Sequence, residues 1–301
     1  MNKTPKENTY FDYNASAPLR PSVVSEMTEA MKLVGNPSSV HKNGRQARRI
    51  LSESRNTICD FVGAHNSKLI FTSGGTESNN LALHGLKKTK KLVSSIEHES
   101  ILAAANEGIR IPVHSDGLVN LSKLQSLLAA QPGPTLVSVM LANNETGVIQ
   151  PLDKISSIVH QFDGLVHCDG VQALGKLDIN MDALGIDLLS LSPHKVGGPK
   201  GVGALVISNE LNIDAQLVGG GQEFSVRAGT ENFISISGFA ATCRDMNNNK
   251  QELQQILTMR KRLENNLKNG IPDVQIHCAQ SPRLINTTSV RMRGIPAETQ
   301  V

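Results

Sequence analysis

The stretch Leu69–Leu86, LIFTSGGTESNNLALHGL, reads in three pieces. Leu69-Ile70-Phe71 is a short apolar run without alternation, which suits a strand buried on both faces. In the turn that follows, Gly74 and Gly75 let several backbone N–H groups converge. NNLALHGL then continues as a helix. A helix N-terminus set directly after a strand adds positive partial charge, so the loop reads as a phosphate cradle. It lacks the Gly-Lys-Ser/Thr of a Walker A loop and the GxGxxG fingerprint. A tight turn with a Thr or Ser cap is the plain alternative.

The same order recurs on either side. Residues 91–96 (KLVSSI) end at EHES and lead into ILAAANEG; residues 135–141 (TLVSVML) end at ANNETG and lead, after Pro151, into LDKISSIVHQF. Residues 165–168 end at Asp169, and residues 187–191 (DLLSL) end at SPHK. Apolar runs regularly separated by helical stretches predict an α/β fold with a mainly parallel sheet flanked by helices. The polar clusters fall just after the strands, at the carboxyl edge where such sheets bind ligands.

From Asn232 to about Gly270 the pattern becomes a long amphipathic helix. Met246, Leu253, Arg260 and Leu267 lie seven apart, Ile256 and Leu263 form a second row, and Asn247-Asn248-Asn249 weakens the helix internally and is a candidate break. Two strand-like pieces follow, VQIH and LINTTSV. The expected organisation is a large domain over residues 21–245, with residues 1–20 and 246–301 forming an N-terminal segment and an incomplete small α+β domain. Pro296–Gln300 reads as the first turn of a helix, so the expectation is of a chain cut short there.

Thirty Lys and Arg against 27 Asp and Glu give a net charge of only +3, spread along 301 residues, which leaves no electrostatic footprint for nucleic acid. Aromatic residues at 3%, with no Trp, argue against a base-stacking platform. No run approaches the length of a membrane span, and the N-terminal MNKTPKENTYFDY has no apolar core of a signal peptide. Cys59, Cys168, Cys243 and Cys278 are far apart and form no CxxC pair, which fits reduced thiols in the cytoplasm.

Lys195, in SLSPHKVGGPKGVG, stands beside His194 and behind Ser190 and Ser192. It reads either as an amine in a crowded polar pocket, with a pKa lowered enough for Schiff-base chemistry, or as a loop lysine in a glycine-bounded turn. Asp169 ends an earlier strand. A strand-end carboxylate and a lysine at the end of a later strand are what a pyridoxal phosphate site requires, the acid keeping the pyridine nitrogen protonated. His167-Cys168-Asp169 does not read as a metal set, because neighbours on a strand point to opposite faces. His98, Asn143 and Asn144 follow other strands, as structural or ligand-contacting residues. Arg227 and Thr230, in GGGQEFSVRAGTEN, fall on what reads as a flexible loop, as turn residues or anion contacts.

Taken together, YFDYNASAP (10–18), GNPSSVH (35–41), FTSGGTESNNLA (71–82), EHES, NNETGVIQP, HCDGVQALGK, SLSPHKVGGPKGVGAL and GGGQEFSVRAGTEN resemble the cysteine desulfurases. These belong to the class V aminotransferase group of fold-type-I pyridoxal phosphate enzymes. The match runs in family order from about Tyr10 to Asn232, and the later helix and strands fit less specifically. The resemblance implies that Lys195 carries the cofactor and moves the proton, that Asp169 pairs with the pyridine nitrogen, and that Gln172 bonds the ring oxygen. It implies His98 stacked on the ring and assisting proton transfer, with Asn144 near the ring oxygen and the substrate. Gly75, Thr76, Ser192 and His194 would hold the phosphate, joined by Thr230 from the other subunit of a homodimer.

The implied activity removes sulfur from L-cysteine, leaving alanine and an enzyme persulfide for iron–sulfur cluster or thio-cofactor synthesis through a sulfur-acceptor or scaffold protein. The family's nucleophilic cysteine and its carboxylate-gripping arginine lie C-terminal to the last segment present, and none of the four cysteines occupies the nucleophile's position. The alternatives are another class V enzyme, such as a selenocysteine lyase or an aminotransferase, or a non-catalytic remnant that acts as a binding protein.

Overall fold

The structure, a computed structural model, describes residues 9–296 apart from 88 and 249. The expected helical turn at residues 297–300 lies outside the described residues. Strands β1 (Ser67–Thr72), β2 (Lys90–Ser94), β3 (Ile109–Ile111), β4 (Thr135–Ser138), β5 (Leu165–Asp169), β6 (Leu188–Leu191) and β7 (Gly203–Ser208) form one seven-stranded sheet. Its order is β1-β7-β6-β5-β4-β2-β3. β7 runs antiparallel to both neighbours and the other pairings are parallel. β4 and β6 are buried at every position, as strands rich in apolar residues are when helices cover both faces.

The helices are α1 (Pro21–Met31), α2 (Lys42–Phe61), α3 (Gly75–Gly85), the single turn α4 (Glu99–Leu102), α5 (Leu121–Ala129), α6 (Leu152–His160), α7 (Phe233–Asn248) and α8 (Lys250–Gly270). α2 shows why its sequence is helical. Gly44, Ala47, Leu51, Ser54 and Ile58 recur at three- and four-residue spacing and make its buried face, while His41 caps it by accepting from Gly44 N–H. α1 and α2 both pack on α7, whose residues 235–243 are all buried. Gly203 on β7 lets the turn after β1 lie against the sheet: a Cβ there would meet the Gly74 backbone at 2.6 Å. The parallel strands all deliver their carboxyl ends to the same edge, which β5 and β6 share with the start of α3.

The helix expected from Asn232 divides at the asparagine run, α7 ending at Asn248 and α8 starting at Lys250. Two expectations need correction. Leu263, read as part of a core-facing row, is 49% exposed, whereas Arg260 and Glu264 turn inward as an ion pair at 3.7 Å. This four-spaced charged pair takes the inward face, with Arg283 on the same carboxylate at 3.0 Å, in place of the apolar row. LINTTSV is extended pairing only at its end, where β9 (Val290–Arg291) joins β8 (Gln275–Ile276). Residues 284–287 are instead a docking loop: Leu284 N–H donates to Gly147 O, and Asn286 and Thr287 bond Asn14.

Candidate active site

β1 ends at Thr72, and the chain turns through Ser73 and Gly74 into α3. Glu77 accepts from Ser73 N–H at 2.7 Å, and Thr72 and Ser78 share a hydroxyl hydrogen bond at 2.8 Å. No side chain caps α3, and the space in front of Gly74 is open. The first N–H groups of α3 therefore face a void with the positive end of a helix behind them. A Cβ at Gly75 would lie 2.8 Å from Val171 Cγ2, so a larger residue would enter only if Val171 moved.

Beside this cradle lies a cavity of about 310 Å³. Gly75, Thr76, His98, Asp169, Gln172, His194 and Lys195 all line it, so seven of the residues singled out in the sequence meet in one place. Asp169, at the end of β5, is buried. Its Oδ1 accepts from Val171 N–H at 2.9 Å and its Oδ2 from Asn79 Nδ2 at 2.8 Å, which aims a fixed carboxylate at the cavity floor. Lys195 closes the short 3-10 turn Pro193–Lys195 after β6. Burial pulls its ammonium pKa down, against the opposing pull of Asp169 and Asp12. His194 is held neutral, at about 4, by burial and by Lys195, Lys200 and Lys176. His98 caps α4, its Nδ1 accepting from Ser100 N–H at 3.1 Å.

The remaining candidates lie elsewhere. Ser192 is buried and donates to Val202 O at 3.1 Å, although its Cβ lies within 3.9 Å of the position that a Gly75 Cβ would take. Asn144 is engaged through its carbonyl, which accepts from Asn14 Nδ2. Thr230 is exposed. Asn143 is the turn residue: its Oδ1 takes the N–H groups of Glu145 and Thr146. Arg227 pairs with Glu77 at 2.8 Å, so its guanidinium is committed to a carboxylate.

The loop around Arg227 is also clamped rather than flexible. Glu223, Phe224 and Ser225 all take left-handed φ, a costly run for non-glycine residues. Arg55 holds it, gripping Glu223 through two nitrogens at 2.8 and 2.9 Å and stacking between Phe71 and Phe224.

Two site residues escaped the sequence reading. Asn79 lines the cavity, joins Asp169 to Ser100, and leaves its own Oδ1 buried without a partner among the described residues. It lies one helical turn after Thr76, which is the signal that would have found it. Glu97 is fully enclosed beneath the site. Ser94 Oγ and Met140 N–H donate to its Oε1, and Oε2 has no partner among the described residues.

Burial, reinforced by Asp169 and opposed by those two hydrogen bonds, pushes the Glu97 carboxyl up to about 8 from an ordinary 4.5. An acid whose folded pKa is raised binds more protons folded than unfolded between those values, so its contribution to stability falls as pH rises from about 4.5 to about 8. Glu97→Gln is therefore expected to gain on the wild type over that interval. Unfolding temperatures of the cofactor-free proteins at pH 5 and pH 8 check this; a gap independent of pH would contradict it.

The set of groups suits one cofactor. A buried carboxylate can pair with a protonated ring nitrogen, an amine can take an aldehyde, an imidazole can cover a ring face, and an open helix N-terminus can hold a phosphate. The family model for aminotransferase class-V matches residues 9–300, and the chain belongs to that family of pyridoxal phosphate-dependent proteins. Within it, the relatives are cysteine desulfurases. Cysteine desulfurase IscS of Dictyoglomus turgidum is 36% identical over 98% of this chain and 78% of its own length. The NifS-like protein of Rickettsia africae superposes with a TM-score of 0.93 at 36% identity, over 96% of this chain and 82% of that one. SspA in complex with cysteine superposes with a TM-score of 0.80 at 30% identity, over 91% and 81%.

Proposed function

We propose that this chain is a cysteine desulfurase that takes sulfur from L-cysteine and leaves alanine. The observation that carries the reading is the meeting of Lys195, Asp169 and the α3 N-terminus around one cavity, in a chain related to desulfurases along nearly its whole length. Pyridoxal phosphate, when bound, supplies an aldehyde for the amino group and an electron-withdrawing ring. Asp169 holds the ring nitrogen protonated, and its two hydrogen bonds keep it from turning away. The backbone N–H groups of Gly75 and Thr76 take the phosphate. Lys195, partly desolvated and thus poised to lose its proton, would hold the cofactor's aldehyde and take up the proton released at substrate Cα. His98 would cover the ring, oriented by Ser100 N–H donating to its Nδ1, which leaves Nε2 for a substrate group.

Sulfur must then pass to a thiol, giving a persulfide. None of the four cysteines lines the cavity, and burial raises the pKa of all four thiols. The accepting thiol is accordingly another one. Replacing Cys59, Cys168, Cys243 and Cys278 by Ser should leave alanine release unchanged when an external thiol is supplied. Alanine formed from L-cysteine by the protein with pyridoxal phosphate is the test of function, and its absence with and without added thiol would refute the reading.

A homodimer fits the apolar side chains left on the surface: Phe11 is 85% exposed, Val34 81%, Val40 82% and Val218 81%. It would also bring Thr230 of one chain to the phosphate of the other. Delivery to an iron–sulfur scaffold or other sulfur acceptor in the cytoplasm completes the proposal.

A further inference from the structure

Lys176 is 8% exposed, in a protein where a buried lysine is costly unless it is used. The hydrogen bond found for its ammonium among the described residues is to an amide, Gln172 Oε1, at 3.0 Å. The turns that follow β5 bring the two side chains together: Ala173 and Leu174 N–H donate to Gly170 O, and Lys176 and Leu177 N–H to Ala173 O. This helical spacing sets residues 172 and 176 one above the other.

Gln172 is itself buried and lines the cavity. Its Nε2 donates to Asn14 O at 2.9 Å. Asn14 is in turn fixed by Asn144 O, Thr287 and Asn286. One hydrogen of the Gln172 amide is therefore spent on Asn14, and the other is free for a ligand. An amide can flip, and flipping would set Oε1 against the Asn14 carbonyl, with two acceptors facing each other. In its ammonium form the Lys176 nitrogen has three donors and no acceptor, so it tolerates only Oε1 on its side.

We infer that Lys176 is a positioning residue: by occupying Gln172 Oε1 it locks that amide so that Gln172 presents only a donor to the cavity. A ring oxygen of the bound cofactor is the acceptor that such a donor serves, so the inference rests on the pyridoxal phosphate reading. The titratable groups that face Lys176 are Lys195 and the neutral His194 on the turn after β6, which in turn faces Asp169 at the end of β5 and Asp12 on the N-terminal segment. No carboxylate is needed to explain where the ammonium sits.

The test compares the wild type with Lys176→Met, Gln172→Met and the double variant. Lys176→Met should weaken pyridoxal phosphate by about tenfold, the effect of one charge-assisted hydrogen bond. It should also raise the pH midpoint of the bound cofactor's visible absorbance change, because the ring oxygen loses its donor. In the Gln172→Met background the same substitution should add nothing. The cofactor-free Lys176→Met protein should melt no lower than the wild type, since a buried charge has been removed.

An equal effect in both backgrounds, or an unchanged midpoint in Lys176→Met, would overturn the inference. The Gln172 side-chain amide, followed by NMR in the cofactor-free protein, decides it independently. One protected resonance pair should broaden or exchange in Lys176→Met, and an unaltered pair would overturn the lock. A wild type that fails to take up cofactor counts against the proposed function alone.

Discussion

Lys195→Ala is expected to lower alanine formation from L-cysteine by about 10³-fold or more, the scale of a lost proton carrier that also anchors the cofactor. The amine sits at the end of the turn after β6, beside the buried Asp169 carboxylate that forms the cavity floor. Ala17 N–H donates to His194 O at 2.8 Å, so the N-terminal segment is fastened to the same turn. Lys195→Arg is the stricter control. It keeps a positive charge but has no amine that can take an aldehyde. Steady-state alanine assays on both variants check the claim, with circular dichroism to confirm folding. A variant retaining a tenth of wild-type turnover would mean that another group moves the proton.

Asp169→Ala should lower turnover by about 10²–10³-fold while leaving Lys195 able to hold the cofactor. Loss of the carboxylate removes the charge that keeps the ring nitrogen protonated. It also strands two buried donors, Val171 N–H and Asn79 Nδ2, at about 1–3 kcal/mol each. Asp169→Asn separates these effects. Its amide oxygen still accepts one hydrogen bond, so stability should largely return, whereas turnover should not, because a neutral amide does not hold a proton on the ring. Recovery of turnover in Asp169→Asn would refute the charge role.

Much of this was legible in the sequence, for a physical reason. β1, β2, β4, β5 and β6 are apolar runs buried on both faces, and each ends in polar residues. Parallel pairing then brings Asp169 and Lys195 to one edge without further information. β3 and β7 were not singled out. β3 is three residues at the sheet edge with Arg110 exposed, and β7 follows a glycine-rich turn whose reversal of direction leaves no periodic signature.

The clamp on residues 223–225 was invisible because Arg55 and Glu223 are 168 residues apart in sequence. Glycine-rich composition suggested mobility there, and a buried ion pair overrode it. Asn79 and Glu97 escaped for the complementary reason. Their roles depend on what lies beneath or across from them, and only the packed structure sets that.

Borohydride reduction of the protein loaded with pyridoxal phosphate, followed by peptide mapping, tests the central claim most directly. The account predicts that the cofactor is fixed on Lys195 and nowhere else. The informative rivals are Lys176, a buried amine whose pKa is lowered to about 7, and Lys200, five residues after Lys195 and exposed. Label on either of them, or no label at all, would contradict a site built around Lys195.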